Sequence, residues 1–299
     1  MSMPFVTSVS ELYNIVGEDA KLQLIADANY AAFHKVYFTS NKLNTTNTTE
    51  YKFPTYIQFN KISLTPSTNR TYEWTTVFPP SDKFFMPNGG TSYDGKVLMA
   101  VQGYELDVPS LLVYVDPVTG MGNTMVNNFY RQVFNLINNV TVLSSNEAVG
   151  QQWVFFTDPP YGYFQGFKLY PSLPAQVYAF HPPIGTICVV ANGFERPNRI
   201  QLSEDFKTRY VTDMGFISTV AGDPHLDDGQ CPGTIYTYGV VTPPPGPNPK
   251  LYPPTLMNCC VFAFTDSGMP DGIKVDTEGN VYAGCFDGVN FKVLGHCHQ

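Results

Sequence analysis

The chain has 299 residues, of which 43% are hydrophobic and only 14% charged, against about 25% charged in an average soluble domain. Its 22 Phe, 19 Tyr, 24 Gly and 25 Pro give the turn-rich, aromatic composition of a β-protein and exclude coiled coils and helical bundles. A net charge of −8 with 17 Lys+Arg could neutralise neither a run of phosphates nor an anionic bilayer surface, so neither nucleic acid nor membrane is an expected partner.

Two short helices are predicted, at residues 11–16 and 126–137. Everything else periodic reads as strand. A polar turn runs repeatedly into a short aromatic or β-branched stretch, with strands starting at 36, 97, 153, 210 and 281, separated by 61, 56, 57 and 71 residues. A second series lies between them, at Val113-Tyr114-Val115 and Tyr178-Ala179-Phe180-His181. Two strand pairs per ~60 residues make a four-stranded unit, and such units repeated around an axis are the blades of a β-propeller. The predicted fold is all-β: one propeller domain over 1–299, six-bladed, with long inter-strand loops and residues 1–30 helping to close the ring. An irregular β-sandwich or jelly roll is the alternative. The Pro-rich stretch 242–249 is predicted to be an extended surface loop.

Six cysteines (Cys188, Cys231, Cys259, Cys260, Cys285, Cys297) allow three bridges in about fifteen connectivities. Sequons stand at Asn44, Asn47, Asn69 and Asn139. Together they predict a secreted, disulfide-bonded glycoprotein, although the first residues lack the basic and apolar regions of a signal peptide. His34 and His181, at strand-to-turn junctions, read as structural. The terminal His296-Cys297-His298 reads as a tail held by Cys297.

Arg196-Pro197-Asn198-Arg199-Ile200-Gln201-Leu202 and Met269-Pro270-Asp271-Gly272-Ile273-Lys274-Val275 carry a resemblance, supported by Phe156-Thr157-Asp158-Pro159 and Pro87-Asn88-Gly89-Gly90. These blocks resemble the gluconolactonase/regucalcin family of six-bladed propellers, particularly its fungal lactonohydrolase branch. The resemblance implies an axial divalent cation, usually calcium, held by a Glu, two Asn and one Asp. Oxygen-only ligands suit a hard cation. Asn138, Asn198 and Asp271 match three of those ligands. The Glu position falls on Asn29 or is deleted, the family's acidic residue after the first Asn is Asn139, and Arg199 stands where the family has Gly. One formal charge in place of two predicts a weak or vacant site. The expectation is no bound cofactor, with calcium as the alternative.

A lactonase-like pocket that has lost its Glu points to non-hydrolytic chemistry. The chain is also similar in kind to secreted fungal hetero-Diels–Alderases of the tropolone-sesquiterpenoid type. That resemblance implies cyclisation or cycloaddition of an apolar small molecule, with Asn29, Asn138, Asn198, Arg199, Asp271 and Tyr161 as candidate catalytic groups. Phe33, Tyr163, Phe164 and His225 are candidates for contacting substrate, the two aromatics on a loop after Asp158 and His225 as a general acid/base. A calcium-dependent lactonase and a secreted, non-catalytic binding propeller are the alternatives. A monomer or homodimer is expected.

Overall fold

The computed structural model describes residues 2–4, 21–23, 31–32, 35–40, 42–46, 55–63, 74–77, 86–104, 108–116, 118–143, 152–215, 233–242, 252–265, 268–285 and 288–292. These residues form five antiparallel sheets of three or four strands, numbered in chain order, and three two-stranded pairs, Ser2–Pro4 with Lys21–Gln23, Leu43–Asn44 with Thr55–Tyr56 and Asn128–Phe129 with Gln132–Val133. Sheet I joins Ala31–Ala32, Lys35–Thr39, Phe59–Ser63 and Trp74–Thr76. Sheet II joins Pro87–Tyr93, Lys96–Val101, Leu111–Val115 and Gly122–Val126. Sheet III runs Val140–Leu143, Trp153–Asp158, Gln176–His181, Thr186–Ala191, and sheet IV Pro197–Leu202, Thr208–Met214, Gly233–Val241, Thr255–Phe264. Sheet V has three strands, Ile273–Val275, Val281–Cys285 and Gly288–Lys292.

Each sheet is an up-and-down meander, and sheets II, III and IV have neighbours packed against both faces. The side-chain period of two explains how one strand serves two interfaces. In Lys96–Val101 the residues Val97, Met99 and Val101 pack on Tyr37 and Phe59 of sheet I. The intervening Leu98 and Ala100 pack on Val154 and Phe156 of sheet III and on Phe134 in the segment leading to it. Phe155 and Val211 join sheets III and IV, while Tyr210, Ile273 and Val281 join IV and V. Strands covered on both faces read as continuous apolar runs, each buried Val, Leu or Phe contributing about 1.5–3 kcal/mol. The result is a β-propeller whose second strands carry the five repeats seen in the sequence.

Five sheets of three or four strands stand among the described residues, where six blades were predicted; of residues 1–30, Ser2–Pro4 and Lys21–Gln23 pair antiparallel with each other as a two-stranded sheet, and the rest of that segment lies outside the described residues. The helix predicted at 126–137 is replaced by a hairpin, Asn128–Phe129 paired with Gln132–Val133. Tyr130 and Arg131 turn it with φ of 48° and 67°, the pair of left-handed residues a tight hairpin turn requires. Asn128 Oδ1 locks the turn by accepting from Arg131 N at 3.2 Å. The helix predicted at 11–16 and the loop from 243 to 249 lie outside the described residues.

The predicted disulfides are also not formed among the described residues. Cys188 donates its thiol to Ala179 O at 3.7 Å on an outer strand pair, and Cys259 and Cys260 are exposed thiols on the outermost strand of sheet IV. Cys231 and Cys297 lie outside the described set. His181 is fully buried, its ring 4.9 Å from that of Trp153, the structural place expected of it.

Candidate active site

The inner strands of sheets II to V neighbour one another in turn, and each begins with a small amide or acid. Asn88 follows Pro87, Asn198 follows Pro197 and Asp271 follows Pro270, while Asn138 leads into Val140–Leu143. Gly89 lets two of these strands approach: a Cβ there would lie 2.5 Å from Asn138 O and from Asn139 Nδ2. Its own N–H instead donates to Asn138 O at 2.9 Å.

A repeated Thr-Asp pair fixes this ring. Thr157 Oγ1 accepts from Asn139 N at 3.2 Å and donates to Asn198 O at 2.6 Å, tying sheet III to sheet IV. One blade on, Thr212 Oγ1 accepts from Arg199 N at 2.9 Å and donates to Asp271 O at 3.3 Å. The adjoining carboxylates clamp the chain before each inner strand. Asp158 accepts from Asn135 N at 3.0 Å and Leu136 N at 2.8 Å. Asp213 does the same for Glu195 N at 3.0 Å and Arg196 N at 2.8 Å. Thr157, Asp158, Thr212 and Asp213 were not among the predicted site residues, nor was Asn88. Their signal was the recurrence of Thr-Asp at the end of two repeats.

Burial outweighs those N–H donors and pushes Asp158 up to about 7, and likewise Asp213 up to about 6. An unfolded aspartate titrates near ~3.9, so the folded chain holds these two protons more tightly than the unfolded one. The stability they contribute is complete below pH ~4 and is lost as pH rises through the folded values. Thermal unfolding followed by scanning fluorimetry is expected to give a higher midpoint at pH 5 than at pH 8. A midpoint climbing steadily over that interval would contradict this assignment.

Four predicted residues come together at the ring. Asn198 Nδ2 donates to Asp271 Oδ1 at 2.7 Å and also meets Met214 Sδ. Arg199 Nε lies 3.4 Å from the same carboxylate oxygen. Tyr161 is buried, its hydroxyl has no hydrogen-bond partner, and burial, with Asp271 and Asp213 nearby, raises its pKa far above the ordinary phenol value. It therefore stays a neutral donor. Asn138 Oδ1 and Asn198 Oδ1 are buried and equally without hydrogen-bond partners. A cavity of about 440 Å³ opens beside this group, lined by Asn139, Arg199, Asp271 and the faces of sheet V.

Other predictions fare differently. Tyr163 and Phe164 sit on a one-turn helix, Tyr161–Phe164, rather than a loop. The helical turn buries Tyr161 and leaves Tyr163 41% exposed, against Tyr170, while Phe164 carries the Arg196 guanidinium 4.2 Å above its ring; neither lines the cavity. Asn139 is not a glycan acceptor in this fold: it is 6% exposed and its Oδ1 accepts from Ile200 N at 3.1 Å. Asn44 is exposed. Asn29, Phe33, His225, Asn47 and Asn69 lie outside the described residues.

The chain is 31% identical over 186 residues to the lactonohydrolase oryL of Aspergillus oryzae, a match covering 60% of this chain and 39% of that protein. It is 26% identical over 221 residues to the gluconolactonase of Zymomonas mobilis, covering 68% of this chain and 50% of the relative. The chain is thus similar in sequence to lactonohydrolases and gluconolactonases. It spans half or less of the length of these two curated relatives. The fold matches a gluconolactonase of Xanthomonas campestris with a TM-score of 0.53 and 16% identity, over 77% of this chain and 66% of that one, a likeness of fold alone. No protein-family model matches the chain.

The donor set can be tested against the cation that the resemblance implies. Two buried amide oxygens without partners and one carboxylate are hard oxygen donors on adjoining strands, and they fit a divalent cation such as calcium. Arg199 beside Asp271 supplies competing positive charge, so affinity is set by how far that side chain yields.

Proposed function

We propose that the chain is an enzyme that hydrolyses the lactone ring of a small molecule at the propeller axis. The observation behind this reading is the Asp271 carboxylate on the cavity wall, held by Asn198 Nδ2 at 2.7 Å, with the unpartnered Asn138 and Asn198 amide oxygens at the heads of the adjoining inner strands, in a chain similar in sequence to lactonohydrolases. Asn138, Asn198 and Asp271 would hold a divalent cation, which when bound supplies Lewis-acid polarisation of the lactone carbonyl.

The chain's own groups account for the proton movements. The Asp271 carboxylate, oriented by Asn198 Nδ2, accepts a proton from water as the water oxygen bonds to the carbonyl carbon. Tyr161, kept neutral by burial, is a hydrogen-bond donor for the oxygen that becomes negative. Collapse of the tetrahedral adduct breaks the ring C–O bond, and the departing alkoxide takes the proton back from Asp271. The product is a hydroxy acid.

A second reading rests on one contact. The ion pair of Arg199 with Asp271 at 3.4 Å sets a guanidinium where it can stabilise a developing oxyanion without any cation. That favours cyclisation or hetero-Diels–Alder cycloaddition of an apolar substrate in the same cavity. A panel of γ- and δ-lactones followed by pH-stat, with added calcium and with chelator, separates the two. Ring opening that rises with calcium is the expected result. Failure of every lactone under both conditions would overturn the hydrolase reading, and saturable ligand binding without turnover would point to a binding protein.

A further inference from the structure

We infer that Gly272 and Gly284 set the specificity of this cavity: they form a floor of bare backbone on which a flat ring of the substrate lies, so that the substrate is a planar lactone or a lactone fused to a planar ring. The inference rests on the lactone-hydrolase reading for the reaction, and on the surface of sheet V for the flat ring.

Glycine in a strand weakens it, and away from bulges and bends it marks a place where a ligand or another backbone comes close. Gly89 is such a place for a neighbouring backbone, and Gly95 turns its hairpin with φ of 68°. Neither reason holds at Gly272 or Gly284. Both have φ outside the left-handed region, and the register through Gly284 and Val289 runs without a bulge. A Cβ on Gly272 would meet no described residue within 4 Å. One on Gly284 would meet the backbone of Gly272 at 3.9 Å, an ordinary contact. Conformation and packing among the described residues thus admit a side chain at both positions, yet both are bare and both line the cavity.

The two glycines adjoin across neighbouring strands. Gly284 N donates to Gly272 O at 2.7 Å, and Gly284 O accepts from Asp271 N at 2.9 Å. These peptide groups are satisfied within the sheet, so the floor attracts by contact and asks for no hydrogen bond. By the side-chain period of two, Gly284 shares its face with Tyr282, another residue of the lining, whose hydroxyl donates to Asp276 Oδ2 at 3.0 Å. Peptide units are planar, and a flat ring keeps all its atoms in contact with them. A puckered ring holds part of its atoms off, and a gap of ~0.5–1 Å forfeits a quarter to a half of each attraction. Asp271 immediately precedes Gly272, so a ring on this floor lies beside the carboxylate assigned to water activation. The cavity volume of about 440 Å³ suits a ligand of that size, within the ~300–1,000 Å³ of small-molecule sites.

The test uses two γ-lactones of equal carbon count, one fused to a benzene ring and one to a cyclohexane ring, both with the ring oxygen on a CH2 group. They are offered to the parent, Gly272→Ala and Gly284→Ala. Calorimetry reads binding, pH-stat reads kcat and KM, and scanning fluorimetry reads folding. The parent is expected to bind the benzene-fused lactone more tightly than its puckered counterpart. Each alanine is expected to raise KM for the flat lactone by about tenfold or more, the scale of one methyl group in a fitted pocket, with a smaller change in kcat. The unfolding midpoints of both variants should stay level or rise by about 1–4 °C, because alanine suits both backbone conformations. Equal binding of the two lactones by the parent, no saturable binding of either, or variants that bind and turn over as the parent does would overturn the inference. Midpoints lowered by several degrees would also overturn it, since another stretch of the chain would then pack on these glycines. If rings open at rates indifferent to flatness and to both alanines, the hydrolase reading stands without the floor. Preference for the flat lactone, lost in the variants, with neither ring opened would keep the floor and remove hydrolysis.

Discussion

Replacing Asp271 by asparagine is expected to lower lactone opening by about 10²–10⁴-fold, the range of a lost general base, with little change in stability. The two halves of that expectation come from different atoms. The backbone of Asp271 is structural: its N–H donates to Gly284 O at 2.9 Å and its carbonyl accepts from Thr212 Oγ1 at 3.3 Å. Both contacts survive the substitution. The side chain is 55% exposed, and the amide oxygen of asparagine can still accept from Nδ2 of the buried Asn198, so its exchange belongs with surface changes of roughly ±0.5 kcal/mol. Lost with the carboxylate are the acceptor for the proton of water, the one formal negative charge for a cation and the partner of Arg199. Initial rates and calcium titrations on Asp271→Asn, beside an unfolding curve, check all three. Activity within a factor of a few of the parent would move the base to another residue.

Much of this architecture could be read in the sequence because the blade imposes a rhythm on it. The strands starting near 36, 97, 153, 210 and 281 fall on the second strand of each sheet. That strand is covered on both faces, so it shows as an unbroken apolar run between turns. The stretch at 126–137 misled for the same reason that it looked regular. Val126, Phe129, Tyr130, Val133, Phe134 and Ile137 repeat at helical spacing. Their burial has other causes: Phe134 meets Phe156 edge-on at 5.3 Å, Phe129 meets Tyr178 at 5.1 Å, and Tyr130 stands 83% exposed at the turn. Two left-handed residues in the turn decide the conformation, and apolar spacing does not encode them.

The site divides in the same way. Asn138, Asn198, Arg199, Asp271 and Tyr161 could be named as candidates because they stand in short blocks of recognisable type at the start of inner strands or just after a second strand. The residues that hold them could not be found so readily. A threonine inside a strand reads as β-propensity, and an aspartate at a strand end reads as a turn former. Only the contacts across blades separate Thr157 and Asp158 from dozens of such residues. The sequon at Asn139 shows the converse limit: three residues satisfy the pattern, while acceptance of a glycan depends on exposure, which the fold denies.

Thr157→Val keeps the shape of a side chain and deletes its hydroxyl, and it is expected to be the most destabilising single change at the ring. The hydroxyl is fully buried and satisfies two backbone groups on different blades, Asn139 N and Asn198 O. Valine leaves both without those bonds, at about 1–3 kcal/mol for each buried polar group. The expected total of ~2–6 kcal/mol is a large part of the ~5–15 kcal/mol that holds a typical domain folded. Thr157→Ser separates the hydrogen bonds from the methyl group: it restores both partners and loses about the ~0.8 kcal/mol of one buried carbon. Denaturant midpoints should therefore order as parent, then serine, then valine, with the larger gap before valine. Because the same hydroxyl fixes the carbonyl of Asn198, calcium affinity and kcat/KM should fall in Thr157→Val and recover in Thr157→Ser. A valine variant as stable as the parent would mean that the blades close this gap without the hydroxyl. The ring would then be held by the Thr212 hydroxyl, the Gly89 contact and the Asp158 and Asp213 clamps.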